Sequence, residues 1–217
     1  MGFSLHFLSV SARAESEKLA QQAQELWLAC VALNGVIRVG EESGNTWEAQ
    51  LKPLESAVQA VFQAAQKNPF VNLVLESIPE KALTRGVYTE DNLRQRFVKV
   101  RKVAKRVALI DETGGSLAKY FFSYLQSMFT FSTLNASSHV DEVDLNEMDT
   151  LKILDHANYW MAKGDFEKVL RFMNLLRGEP RSVAADWIEE TRLHLEAKQA
   201  AMALMAFASA TGLGTIF

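Results

Sequence analysis

The chain has 217 residues, 48% of them hydrophobic, and a formal net charge of −3 at pH 7. That composition excludes a wholly disordered chain, and the bulk charge excludes a general nucleic-acid binder. Four prolines, eleven glycines and one cysteine exclude a turn-rich β-sandwich and an internal disulfide framework, and leave Cys30 to be a buried apolar thiol.

The elements are predicted in chain order from apolar spacing and caps. Leu19, Ala23, Leu26, Cys30, Leu33 and Ile37 alternate between spacings of four and three, which predicts a helix over 14–39 with a heptad seam. The seam is too short to sustain a coiled coil alone. It fits the end of a longer one or a helix packed in a core. Leu51, Leu54, Val58, Val61, Phe62 and Ala65 extend a second helix over 47–66, which Asn68-Pro69 terminates. A short apolar element follows at 70–78, and Pro79 opens another short helix that ends near Gly86.

Thr89 stands where an N-cap belongs, with Glu90 and Asp91 in the first turn, so a helix is expected to run to about Ile110. A turn at 111–115 leads to Ser116 and a helix over 117–131, and 132–143 is a polar linker. Three more helices are expected at about 146–163, 166–176 and 181–210. Gly164, Asp165, Gly178 and Pro180 punctuate them. No strand pattern appears, so the fold class is all-α.

Charge is segregated along this series. Residues 94–106 hold Arg94, Arg96, Lys99, Arg101, Lys102, Lys105 and Arg106 and no acid, while 141–167 holds eight acids against Lys152 and Lys163. On a helical wheel Leu93, Phe97, Val100, Ala104, Val107 and Ala108 occupy an arc of about 120°, and of the seven bases only Arg96 falls inside it. Like charges one turn apart cost a few tenths of a kcal/mol per pair. An anionic lipid surface, a nucleic acid or an acidic protein face would offset that cost; the alternative is a core-packed helix with a solvated charged face. The next helix carries Tyr120, Phe121, Phe122, Tyr124, Leu125, Phe129 and Phe131 around all but a narrow polar arc. It is too short to span a bilayer. It fits either an interfacial helix or the centre of a bundle. Aromatics and bases lie on successive helices, which favours lipid or a partner helix over nucleic acid.

The last helix ends in an unbroken apolar run, Ala200 to Ala208, that includes Met202, Met205 and Phe207. A helix apolar on every side needs cover on every side. Its two short neighbours cannot supply that, so a second copy or a partner protein is expected, with the N-terminal helix as the alternative cover. No catalytic or metal-ligating constellation stands out. His6, His139, His156 and His194 are scattered, without a second ligand at i+4. Gly114-Gly115-Ser116 lacks the P-loop spacing. The expectation is a non-enzymatic protein without cofactor or metal.

The segment SIPEKALTRGVYTEDNLRQRFVKVRKVAKRVALIDETGGSLAKYFFSYLQSMF (77–129), the segment KGDFEKVLRFMNLLRGEPRSVAADWIEETRLHLEAKQ (163–199) and ASATGLG (208–214) resemble, in order, the C-terminal part of mitofilin. Mitofilin is the core subunit family of the mitochondrial contact site and cristae organising system, MICOS. The resemblance implies an all-α scaffold at the mitochondrial inner membrane, on the intermembrane-space side, that binds and bends membrane at crista junctions. With the predicted elements it gives a division into 1–40 (helical, a coiled-coil stub), 41–78 (helical connection), 79–131 (amphipathic membrane-binding helices), 132–143 (linker) and 144–217 (mitofilin domain), the last three following from the resemblance. The membrane-binding residues would be Arg94, Lys99, Arg101, Lys102, Lys105, Arg106, Tyr120, Phe121, Tyr124, Leu125 and Phe129, facing a cardiolipin-containing anionic leaflet. Trp187, Met202, Met205 and Phe207 would serve self-association and the recruitment of a CHCH-domain subunit. The alternative is a helical adaptor without lipid affinity, because 159–176 also looks like a single tetratricopeptide-type hairpin.

Overall fold

A computed structural model of the chain describes residues 2–41, 43–108 and 148–214, with side chains from residue 14 to 212 except residue 16. No strand occurs among the described residues. The helices are α1 (Gly2–Val39), a 3-10 turn (Glu48–Gln50), α2 (Glu55–Ala64), α3 (Pro69–Glu76), α4 (Glu80–Thr84), α5 (Glu90–Val107), α6 (Thr150–Lys163), α7 (Phe166–Asn174) and α8 (Gly178–Gly214).

Local chemistry accounts for most of the boundaries. The Asn68 side chain accepts from the amides of Phe70 (3.0 Å) and Val71 (3.3 Å), and Pro69 occupies the first position of α3, where no amide donor is needed. Asp149 caps α6 by accepting from Leu151, and Asp165 caps α7 by accepting from Lys168 at 2.9 Å. Between them Gly164 takes φ +77°, the left-handed turn that ends a helix with little cost only for glycine.

Three predicted boundaries are corrected. The single helix expected over 47–66 is broken: the 3-10 turn ends at Gln50, Leu51 is extended, and α2 begins only at Glu55. Pro53 is the cause, since it offers no amide to a helix and biases Lys52 away from the helical region. The first helix begins at Gly2 rather than at residue 14. The last begins at Gly178 rather than at residue 181, because Pro180 is accommodated in a first turn whose amides have no helical partner.

The described chain forms two units: 1–89 with 196–217, and 90–195. In the first, the predicted seam is the core of α1. Ala23, Leu26, Cys30, Leu33 and Ile37 are 5% exposed or less, and only Leu19, at 51%, stands out. The seam packs on α2 within the chain. The end of α8 also belongs to this unit. Ala201, Leu204 and Ala208 are buried, Gly212 lies against Ala23 of α1, and the Phe207 ring meets that of Phe70 in α3 at 4.9 Å. Part of the cover that the apolar run needs is therefore supplied within the chain, by α1 at Gly212 and by α3 at Phe207. At roughly 1.5–3 kcal/mol for each fully buried large side chain, this packing is the main source of the unit's stability.

The second unit packs α5 on α6 and α6 on α7, with the first half of α8 completing the core. Leu93, Phe97, Leu154, Val169, Met173 and Trp187 are fully buried. The Trp187 indole donates to the Leu93 carbonyl at 2.9 Å, and its ring lies 5.2 Å from that of Phe97.

Candidate functional site

The basic helix α5 divides its charges between two directions. Four bases turn inward, within their own unit. Arg94 donates to the Met161 carbonyl at 3.2 Å and lies over the Phe166 ring at 5.9 Å. Arg96, the base that the wheel placed in the apolar sector, pairs with Asp186 of α8 and is only 13% exposed. Arg101 donates to Asn158 at 2.5 Å and reaches Asp155 at 3.6 Å; Lys105 meets the same Asp155 carboxylate at 2.5 Å. The anionic counterpart that the run of bases demands is thus partly the chain's own acidic segment.

The outward face of α5 has a different character. Lys99 and Lys102 are exposed and Arg106 is half-buried. Val98 is 62% exposed and Val103 43%, on the same side of the helix. Together these five residues span an arc of about 140°. Two apolar side chains flanking a basic stripe are what an interfacial helix presents to headgroups.

The other predicted positions fall as follows. Tyr120, Phe121, Tyr124, Leu125 and Phe129 lie outside the described residues, as do Gly114-Gly115-Ser116. Trp187 is fully buried with its indole nitrogen satisfied, so it builds the core and is not presented to a partner. Phe207 is half-buried against Phe70, Met205 is half-buried, and Met202 is 57% exposed. No helix among the described residues is long and apolar enough to cross a membrane.

Two polar groupings escaped the sequence reading. Glu190, Thr191 and His194 are buried in α8, with His194 Nε2 3.7 Å from Glu90 of α5. The one-turn spacing of Glu190 and His194 was visible, but only packing shows that this side of α8 is interior. His156 is also buried, stacked on Phe172 at 5.1 Å, as expected of a helical histidine among apolar neighbours. On the surface, Lys163 and Lys168 gather over Trp160, at 5.4 and 3.7 Å from the ring centroid. The basic residue four positions after Tyr159 hinted at half of this cluster.

A family model for mitofilin, described as a mitochondrial inner membrane protein, matches residues 8–209. MICOS complex subunit Mic60 of Drosophila melanogaster is 43% identical over 210 residues, which are 94% of this chain and 28% of that protein. MICOS complex subunit MIC60-2 of Caenorhabditis elegans is 26% identical over 200 residues, covering 91% of this chain and 30% of its own length. MICOS complex subunit MIC60 of Yarrowia lipolytica is 30% identical over 139 residues, 64% of this chain and 23% of that protein. The chain spans under a third of the length of these relatives. No solved structure matches. The match of a single family model to nearly the whole sequence establishes that the chain belongs to the mitofilin family.

Proposed function

We propose that the chain is a scaffold segment of the MICOS complex on the intermembrane-space side of the mitochondrial inner membrane, and that the outward face of α5 rests on anionic phospholipid. The relatives' name, MICOS complex subunit, supports the first part, since the Drosophila protein aligns with 94% of the chain. The observation that carries the second part is the exposure of Val98 and Val103 beside Lys99, Lys102 and Arg106. Each base held close to an anionic leaflet contributes up to about 1 kcal/mol, and the valines gain by entering the headgroup boundary. Cardiolipin, with two phosphates per molecule, suits a stripe of closely spaced cations. Tyr120, Phe121, Tyr124, Leu125 and Phe129 would continue this surface along the sequence. The C-terminal helices would bind the CHCH-domain subunit and a second copy, with exposed Met202 as one contact.

Vesicle flotation tests this reading. The full chain is expected to rise with vesicles of phosphatidylcholine and cardiolipin, and less so as salt increases. Changing Lys99, Lys102 and Arg106 together to Glu should leave it at the bottom of the gradient. Flotation that survives this triple change sinks the α5 assignment. A wild-type chain that never floats is the helical adaptor instead.

A further inference from the structure

The turn between α6 and α7 gathers cations and aromatic rings that the lipid-facing side of α5 does not account for. Tyr159 and Trp160 stand there with their ring planes at 81° and their centroids 5.2 Å apart. The Lys163 ammonium lies 4.5 Å from the Tyr159 centroid, and that of Lys168, on the next helix, lies 3.7 Å from the Trp160 centroid. Each ring holds its ammonium group by the attraction of a π face for a cation. Between the two lysines Gly164 is exposed, and a Cβ built there would meet nothing within 4 Å except Arg94 Nη2, at 3.8 Å. A third cation therefore stands beside a stretch of backbone that no side chain covers. Asp165 is engaged as the cap of α7: it accepts from the Lys168 amide at 2.9 Å, and its other oxygen is 4.0 Å from the Lys168 ammonium. Glu167, the other acid of this turn, lies about 100° around α7 from Lys168. Three cations against two acids, one of them capping a helix, leave the corner positive.

We infer that this corner is a docking site for a short acidic peptide segment of a partner protein, whose carboxylates bridge Lys163 and Lys168 across Gly164. A surface lysine ordinarily loses rotamer freedom when it engages an anion, and that loss offsets most of the gain. Here the ring contacts already restrict both side chains, so less freedom is lost on binding. Arg94 adds positive potential at the open backbone, where a peptide can approach without meeting a side chain. The same features select against other anionic partners. Nucleic acid uses such clusters by stacking bases on the ring faces, and these faces are occupied by the chain's own ammonium groups. A lipid surface takes up exposed aliphatic side chains beside the bases, as Val98 and Val103 provide on α5. The exposed neighbours of the two lysines are Ala162, Gly164 and Glu167, none of them large and apolar. The inference uses different residues from the α5 assignment and stands or falls separately from it.

Fluorescence anisotropy of fluorescein-labelled hexaglutamate, titrated with the full chain at low salt, tests this. Saturable binding is expected, and it should weaken as salt rises. Lys163→Gln combined with Lys168→Gln should raise the dissociation constant by at least about tenfold, with an unchanged circular dichroism spectrum because neither side chain is buried. Trp160→Leu keeps both charges, removes the platform under Lys168 and should also weaken binding. Changing Lys99, Lys102 and Arg106 together to Gln should matter far less than the lysine pair. A chain that does not bind hexaglutamate saturably overturns the inference, as does binding indifferent to the lysine pair or reduced as much by the α5 changes. Flotation with cardiolipin vesicles should be unaltered by Lys163→Gln with Lys168→Gln. A loss there would assign the corner to the membrane and overturn the inference as well.

Discussion

Lys105 of α5 and Asp155 of α6 stand 2.5 Å apart, and Arg101 reaches the same carboxylate at 3.6 Å. One acid answers two bases, and all three side chains are 25% exposed or less. The positive run of α5 is therefore neutralised on one side by the segment richest in acid, fifty residues later in the chain.

Removing that acid leaves two cations largely shielded from water without their counter-charge. Asp155→Ala is expected to cost about 1.5–3 kcal/mol in urea unfolding followed by circular dichroism. Arg192→Ala breaks an exposed pair with Glu189 and should cost under about 0.5 kcal/mol. Equal losses for the two variants would show that the Asp155 cluster behaves as an ordinary surface pair.

Trp187 joins α8 to α5 by a ring contact and a hydrogen bond, and the two can be separated. Trp187→Phe keeps most of the packing and removes the indole's hydrogen bond to a Leu93 carbonyl that lies within helix α5, at a cost of about 0.5–1.5 kcal/mol. Trp187→Ala opens a cavity as well and should cost about 3–5 kcal/mol. A partner-binding role confined to the surface would show the reverse pattern, with binding lost and stability retained.

Cys30 is fully buried, and burial pushes its thiol from 9.0 up to about 11. The neutral thiol is the form the folded state favours. Its contribution to stability is complete below pH 9 and is lost as the pH rises through about 11. Alkylation at pH 8.5 should be at least about a hundredfold slower in the native chain than in urea, since thiolate is scarce and access is closed. In Cys30→Ala the alkaline loss of stability should be correspondingly smaller. Rapid alkylation under native conditions would show that α1 separates readily from α2.

Two backbone positions predict opposite outcomes. Gly86 has φ +93°, and a Cβ there would lie 2.1 Å from the Lys52 carbonyl oxygen. Gly86→Ala should cost at least about 2 kcal/mol, the left-handed penalty with a backbone clash added. Lys67 holds φ +66° with an ordinary side chain in the turn before α3. Lys67→Gly relieves that penalty and should raise the unfolding midpoint slightly, with a gain of up to about 1 kcal/mol.

The all-α class, the α1 seam and the break at Gly164-Asp165 could be read directly from spacing and local punctuation. These depend on residues within one or two turns of each other, so local sequence decides them. Pro53 was equally visible; the apolar positions on either side of it concealed the break. The family likeness was legible too, because it rests on the order of residues and needs no contacts.

What the linear order could not determine is which face of each helix meets which neighbour. A wheel identifies Arg101 and Lys105 as polar but cannot distinguish water, lipid or Asp155 as their partner, since that depends on α6 arriving from fifty residues away. In the same way it identifies Phe207 as apolar without revealing that Phe70 of α3, far earlier in the chain, stacks against it. Hydrophobic burial and charge pairing fix these choices only once the helices are assembled. The same holds for α5, whose outward valines stand apart from its inward bases only in the folded unit.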